Sequence, residues 1–268
     1  MSTRIERKFA DLKKAGEKGF IAYITAGDPS MDATEDFVLR LAAAGVDIVE
    51  LGIPFSDPLA DGRVNQESAS RALAAGATPR KVIEMVARIR ERCDVALMGY
   101  TYMNPVHARG AERFMREASS AGFDGLLLLD LPVEEAGPYL KSMKRHRLNH
   151  IALVTPTSPP DRIAKIAAAA TGFVYCVSRE GVTGTQQQLS PAALDLVRRT
   201  KSLTDLPVAL GFGIGTPGHA RSAARVADAV VVGSAIVNRL HEAPATAKGR
   251  QAAADWVATL VRAVKGAA

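Results

Sequence analysis

Ile48-Val49-Glu50-Leu51-Gly52-Ile53-Pro54-Phe55-Ser56-Asp57-Pro58-Leu59-Ala60-Asp61 begins as an apolar run and ends as a polar loop. The β-branched and leucine side chains at its start have the composition of a strand buried on both faces of a parallel sheet. Gly52 and Pro54 stop that strand, and the loop beyond delivers a second carboxylate, Asp61. A carboxylate set into a buried strand is costly to desolvate, so Glu50 is either paired in the core or placed there for chemistry. Asp57 and Asp61 on the adjoining loop favour chemistry. The stretch reads as the floor of a site and its cover.

The same grammar repeats on both sides. An amphipathic helix over residues 3–16 (Ile5, Phe9 and Leu12 on one face) precedes a first strand, Gly19–Thr25, which ends in the turn Ala26-Gly27-Asp28-Pro29. Helix 31–44 leads to strand two, Asp47–Leu51; helices 63–75 and Pro79–Arg92 lead to strand three, Val95–Gly99, and a Tyr100–Pro105 loop. Helix 109–121 precedes strand four, Gly125–Leu129; helix 135–146 precedes strand five, Ile151–Val154; helix 160–170 precedes strand six, Phe173–Val177. Helix 191–202, strand seven (Pro207–Leu210), helix 217–226, strand eight (Ala229–Val232) and a final helix near 248–264 complete the series.

Eight strands, each followed by a helix, with no linker or composition break between them, predict an α/β fold. One domain over residues 1–268 would form a (β/α)8 TIM barrel with an extra N-terminal helix that can plug its bottom. An open doubly wound sheet is the rival, and it usually needs fewer strands. Ala44-Gly45-Val46-Asp47 before strand two echoes Ala121-Gly122-Phe123-Asp124 before strand four, a trace of internal repetition.

Composition narrows the function classes. With 268 residues, 47% of them hydrophobic, the chain can bury a large core, and it has no apolar run long enough to span a membrane. Met1–Phe9 carries charges of both signs and no apolar h-region, which argues against a secretory signal. Cys93 and Cys176 lie in apolar stretches without metal-ligand spacing and read as reduced core thiols of a cytoplasmic protein. The formal charge of +6 is spread over helix-like segments, and 5% aromatic content gives no stacking surface for nucleic acid.

Chemistry in such a barrel gathers where the strands end. Those ends hold Thr25 and Asp28, Glu50, Tyr100 and Tyr102, Asp130, Thr155, Tyr175, Gly211–Gly213 and Gly233-Ser234. Gly211-Phe212-Gly213-Ile214-Gly215 after strand seven and Gly233-Ser234 after strand eight can bring backbone N–H groups onto an oxyanion, with the short helical stretch Ala235–Leu240 behind them. They read as a phosphate cradle, with plain tight turns as the alternative. Ser178–Leu189, polar and punctuated by glycine, reads as a lid or as a plain surface connection. None of the five histidines sits at a strand end beside a partner carboxylate, so metal and acyl-enzyme chemistry are disfavoured. Carboxylate acid/base chemistry on a phosphate-anchored substrate remains.

Val49–Gly62 as a whole resembles the signature of the tryptophan synthase α subunit family. The resemblance continues through Ala26-Gly27-Asp28-Pro29, Asp130-Leu131-Pro132, Ser178-Arg179-Glu180-Gly181-Val182-Thr183-Gly184, Gly211-Phe212-Gly213-Ile214 and Gly233-Ser234-Ala235-Ile236-Val237. It implies a lyase of tryptophan biosynthesis, which performs cofactor-free retro-aldol cleavage of indole-3-glycerol phosphate to indole and glyceraldehyde 3-phosphate. By that resemblance Glu50 is the acid/base at C3 of the indole ring and at the glycerol hydroxyl, and Asp61 accepts the indole N–H. Tyr23, Asn65, Tyr102, Tyr175 and Thr183 would bind the substrate, with Asp57 contacting Thr183, and Gly184, Gly213, Gly233 and Ser234 would hold the phosphate. The resemblance also implies an α2β2 complex in which a β subunit carries pyridoxal phosphate and receives indole through a tunnel.

Arg63 and Asn65 depart from the family pattern, which usually has proline and an apolar residue there, and Tyr23 replaces a common phenylalanine. A polar Asn65 beside a flat apolar ring is expected to weaken binding unless the amide finds a partner. The competing expectations are a stand-alone indole-glycerol-phosphate lyase and a catalytically weak allosteric partner of the β subunit.

Overall fold

Apolar runs without polar alternation are stable only where both faces of a sheet are covered, and the strands of this chain meet that condition almost residue for residue. The computed structural model describes residues 2–177, 190–211 and 213–267. Its strands are β1 (Gly19–Thr25), β2 (Ile48–Gly52), β3 (Ala96–Thr101), β4 (Gly125–Leu128), β5 (Asn149–Val154), β6 (Val174–Val177), β7 (Val208–Gly211) and β8 (Ala229–Val232). The helices are α1 (Arg4–Ala15), α2 (Met31–Ala43), α3 (Arg63–Ala74), α4 (Pro79–Arg90), α5 (Met103–Arg109) and α6 (Ala111–Ala121). After them come α7 (Gly137–Arg145), α8 (Pro160–Ala169), α9 (Pro191–Lys201), α10 (Pro217–Ala224), α11 (Ser234–Glu242) and α12 (Ala247–Lys265). All strand pairs are parallel, and β8 returns to pair with β1 (Gly19 with Ala229, Ala22 with Val232), so the sheet closes into the (β/α)8 TIM barrel.

Strand alternation divides the core in two. Ile24, Val49, Leu51, Leu97, Leu126 and Val230 face outward and pack beneath the helices. Ile21, Ile48, Ala96, Met98, Leu127, Ile151, Ala209 and Val231 point into the barrel. The lower interior is completed by α1, whose Ile5, Phe9 and Leu12 join that inner cluster, with the rings of Phe9 and Phe173 at 5.5 Å. A capping box between Thr3 and Glu6 starts this helix, and Asn149 at the base of β5 donates to Glu6 Oε1 at 2.9 Å. The extra N-terminal helix is therefore a plug.

The echo between residues 44–47 and 121–124 marks a repeat that runs round the whole barrel base. Asp47 accepts the Phe20 N–H at 2.8 Å and returns its own N–H to the Phe20 carbonyl at 3.0 Å. Asp124 does the same with Leu97 (2.9 and 2.8 Å), Thr171 with His150 (2.8 and 2.8 Å) and Asp228 with Val208 (3.0 and 2.8 Å). A side-chain acceptor thus ties the base of each odd strand to the next even one, giving a repeat unit of two βα elements. Each aspartate also meets a cation: Lys265 at Asp47 (2.9 Å), Arg90 at Asp124 (2.9 Å) and Lys201 at Asp228 (2.7 Å).

Most element ends shift by a residue or two from the sequence expectation, and two differences alter the upper rim. β3 continues to Thr101, so Tyr100 lies in the strand instead of the following loop. The segment expected to be loop up to Pro105 contains α5, whose first turn tolerates proline. The Met103 N–H of that turn donates to Asp130 Oδ1 at 2.7 Å, a cap supplied from beyond β4 that local sequence does not reveal. Gly110, with a φ of 82°, then separates α5 from α6.

Asp124 is the most heavily used of the base acceptors, since it also takes the backbone N–H of Arg4 at 3.2 Å. Replacing it by alanine strands the guanidinium of Arg90 and the N–H of Leu97 together. Asp124→Ala is expected to cost about 3–5 kcal/mol in urea unfolding. Thr171→Val, which orphans a single N–H, should cost about 1–3 kcal/mol. Equal losses in the two variants would refute the ranking.

Candidate active site

The upper interior is polar where the lower is apolar. Along β1, β2, β3 and β6, the inward positions above the hydrophobic layer are Tyr23, Glu50, Tyr100 and Tyr175. The tyrosine rings need room, and glycines supply it. A Cβ on Gly52 would lie 2.4 Å from Tyr23 Oη, and one on Gly211 would lie 2.5 Å from Tyr175 Oη. Tyr23 and Tyr100 meet edge to face with ring centroids 5.0 Å apart.

Glu50 is 1% exposed, and its Oε1 has no hydrogen-bond partner among the described residues. Burial, reinforced by the negative charge of Asp61, pushes its pKa up to about 8. At neutral pH Glu50 is therefore a protonated acid, poised to give its proton and take another.

Asp61 is in the opposite condition. The loop that carries it folds back over β3: Phe55 packs on Tyr102 at 5.4 Å, and the Ala60 N–H donates to Tyr102 Oη at 3.0 Å. Tyr100 Oη then donates to Asp61 Oδ1 at 2.6 Å and Tyr102 Oη to Oδ2 at 2.9 Å. Both hydroxyls donate to the carboxylate, one to each oxygen. Burial and then the Asp61 charge raise the pKa of Tyr100 and of Tyr102, so both phenols stay protonated as donors.

A cavity of about 790 Å³ opens above these groups. Tyr23, Glu50, Asp61, Asn65, Tyr100, Tyr175, Gly213, Gly233 and Ser234 all line it, so the strand-end and loop residues singled out in the sequence converge there. Tyr102 does not reach the cavity; it stands behind Asp61. Asp28, also at a strand end, is taken by Arg71 in a two-pronged pair (3.0 and 2.6 Å) and lies outside the cavity. Arg63 turns outward, 90% exposed and paired with Glu67 at 2.7 Å. Asn65 faces inward, with Nδ2 at 3.5 Å from Asp61 Oδ1 and Oδ1 buried without a partner. Thr183, Gly184 and the Asp57–Thr183 contact fall outside the described residues.

Opposite the acidic groups, Gly233 leads into α11, and no side chain caps that helix. Ser234 and the following N–H groups therefore present an uncapped positive helix end to the cavity beside Gly213. The site accordingly has an uncapped helix end, an aromatic wall and two carboxylates in contrasting surroundings, one without a partner among the described residues and one held by two hydroxyls. No group of three or more His, Cys, Asp or Glu among the described residues is disposed to hold a metal ion. The inward role of Tyr100 was missed in the sequence, although extending the alternation of strand three by two residues would have revealed it.

Comparison with known proteins agrees with this geometry. The family described as tryptophan synthase alpha chain matches residues 9–267. The tryptophan synthase alpha chain of Geobacter sulfurreducens is 47% identical over 265 residues, covering 99% of this chain and 98% of the relative. That of Carboxydothermus hydrogenoformans is 41% identical over 263 residues, 98% of each chain. Among solved structures, tryptophan synthase subunit alpha from Legionella pneumophila superposes with a TM-score of 0.91 at 34% identity, covering 99% of this chain and 100% of that one. A chain of Mycobacterium tuberculosis tryptophan synthase gives 0.89 at 34% identity, covering 99% of both. Members of this family are cofactor-free lyases that cleave indole-3-glycerol phosphate in tryptophan biosynthesis, pyridoxal phosphate belonging to the partner β subunit. Alike in profile, length and backbone, the chain belongs to the tryptophan synthase alpha chain family.

Proposed function

We propose that Glu50 and Asp61 divide the retro-aldol cleavage of indole-3-glycerol phosphate between them. Glu50, protonated at the outset, gives its proton to C3 of the indole ring, and the ring nitrogen becomes cationic. Asp61, ionised, accepts the indole N–H and balances that charge. The Glu50 carboxylate then removes the proton of the glycerol hydroxyl next to the scissile bond. As that oxygen becomes a carbonyl, the C–C bond breaks and its electron pair returns to the ring, releasing neutral indole and an aldehyde. The proton count on Glu50 is restored. The observation that carries this division is the contrast between an unpartnered buried Glu50 and an Asp61 gripped by two tyrosine hydroxyls.

The remaining roles follow from position. Tyr23, Asn65 and Tyr175 bound the ring, Tyr102 serves the substrate indirectly by holding Asp61, and Gly213, Gly233 and Ser234 receive the phosphate at the α11 N-terminus. Thr183 and Gly184 complete the lid and phosphate contacts. The chain works as one barrel domain in the cytoplasm, within an α2β2 complex. Leu59, two residues before Asp61, is 82% exposed, so a partner covering it would also steady the loop that aims the carboxylate.

Indole release from indole-3-glycerol phosphate, measured with and without a β subunit, tests the assignment. Slow cleavage that the partner accelerates is expected, with Glu50→Gln lowering the rate by about a hundred- to ten-thousand-fold. Fast cleavage by the chain alone would favour a stand-alone lyase, and full activity in Glu50→Gln would overturn the role of that residue. A second check reads the carboxyl directly. The ¹³C resonance of Glu50 should titrate with a midpoint near 8 and move to lower pH in Asp61→Asn, because removing a neighbouring negative charge eases ionisation. A midpoint in the ordinary carboxylate range would exclude Glu50 as the resting acid.

A further inference from the structure

Alternation along β5 sends Ile151 and Leu153 into the barrel and His150 and Ala152 toward the helices. The cavity nevertheless touches all four residues. A single rounded void cannot meet both faces of one strand, so the space has two lobes joined over the strand ends. The inner lobe lies above Glu50 and Asp61. The outer one lies between β4–β5 and α8.

The walls of the outer lobe are apolar: Leu128, Ala152, Ile166 and Ala169. At its rim Arg162 is engaged by Glu134 through two contacts of 2.9 and 3.3 Å, so its charge is already satisfied. Among those walls stands His150, which is 7% exposed and has a buried Nδ1 without a hydrogen-bond partner among the described residues, whereas Thr155 and Ser158, which also line the cavity, bond each other. Its backbone N–H and carbonyl are both engaged by Thr171, whereas the ring has no hydrogen bond among the described residues. Burial lowers the imidazole pKa to about 4, so at neutral pH the ring is uncharged, with one N–H and one bare acceptor nitrogen. An orphaned buried polar group in an apolar space is satisfied by a ligand that supplies a single complementary hydrogen bond and otherwise buries apolar surface.

We propose that this outer lobe is a second binding site for indole, with the His150 imidazole accepting the indole N–H. The identity of the occupant rests on the lyase reading above, because indole is the neutral, aromatic product with one strong donor. The other product carries a phosphate, which belongs at the α11 N-terminus and has no free cation to meet in the outer lobe. The residues of both lobes line one cavity, so indole released over Asp61 has His150 within the same space. The lobe thus offers the product a waiting position that leaves the catalytic groups free.

The test uses the full chain with ¹⁵N-labelled histidine, titrated with indole and observed by NMR; the His150 ring signal is the one missing in His150→Asn. A saturable shift of that signal is expected, retained in Asp61→Asn and lost in Ala152→Phe and in Ala169→Leu. Those two variants fill the lobe from opposite walls, so misfolding of one leaves the other informative. Glycerol 3-phosphate should leave the signal unmoved. A His150 ring indifferent to saturating indole, a shift that survives both filled variants, or one that vanishes in Asp61→Asn would overturn the proposal. Indole-3-glycerol phosphate cleavage by the same preparation is scored separately. An indole-dependent shift without cleavage sinks the catalytic reading and keeps the lobe, whereas cleavage with an unmoved His150 does the reverse.

Discussion

Burying a carboxyl group without a hydrogen bond costs free energy that a fold must recover elsewhere, and the placement of Glu50 imposes that cost on this barrel. The charge of a buried carboxylate would be harder still to accommodate, and the protein avoids it by keeping the group protonated at rest. Such a state survives only if water and cations are kept away. The inward tyrosines, the apolar layer of Ile21, Ile48 and Met98 beneath, and the loop drawn over the top by Phe55 and Tyr102 all serve that exclusion. The reactivity of Glu50 and the cost of Glu50 have the same origin.

The recovery is concentrated at the other end of the molecule. At the base, each pair of strands is fastened by a reciprocal backbone and side-chain clasp, three of the four clasps carry an ion pair, and α1 seals the interior with Phe9 against Phe173. Toward the rim, by contrast, polar atoms are left short of partners among the described residues: Glu50 Oε1 and Asn65 Oδ1. A closed sheet permits this division because the strands transmit rigidity from base to rim, so the ends that bind ligand need not be internally satisfied. Groups that would be defects in a core become binding capacity at the mouth.

What could be read from the sequence follows the range of the interactions involved. Strand order and the helix between each pair were legible because burial on both faces leaves a continuous apolar run, and Glu50 stood out because it interrupts one. That Gly213, Gly233 and Ser234 line the cavity was legible because glycines and a helix start after the last two strands lie at the strand ends of such a barrel. α5 was not, since its N-terminus is capped by Asp130, which is distant in sequence. Nor was the tie from Tyr100 to Asp61, which exists only once the loop after β2 has folded across β3. The orphaned imidazole of His150 left no local signal either, because its exposure to a cavity depends on the small side chains of Ala152 and Ala169 lying opposite.

The departures in the ring pocket become intelligible in the same terms. Tyr23 and Asn65, with Tyr100 beside them, bring hydroxyl and amide groups to the cavity wall, yet those polar atoms largely find partners within it. The hydroxyl of Tyr100 is spent on Asp61, that of Tyr23 has Thr25 at 3.4 Å, and the amide nitrogen of Asn65 leans toward the same Asp61 at 3.5 Å. Aromatic faces are thereby left toward the cavity, while much of the polarity is directed at Asp61. A phenylalanine at position 100 would bury as much surface but leave Asp61 Oδ1 with the weaker amide contact alone. The hydroxyl of Tyr100 and the amide nitrogen of Asn65 therefore converge on the Asp61 carboxylate, whereas the hydroxyl of Tyr23 turns to Thr25.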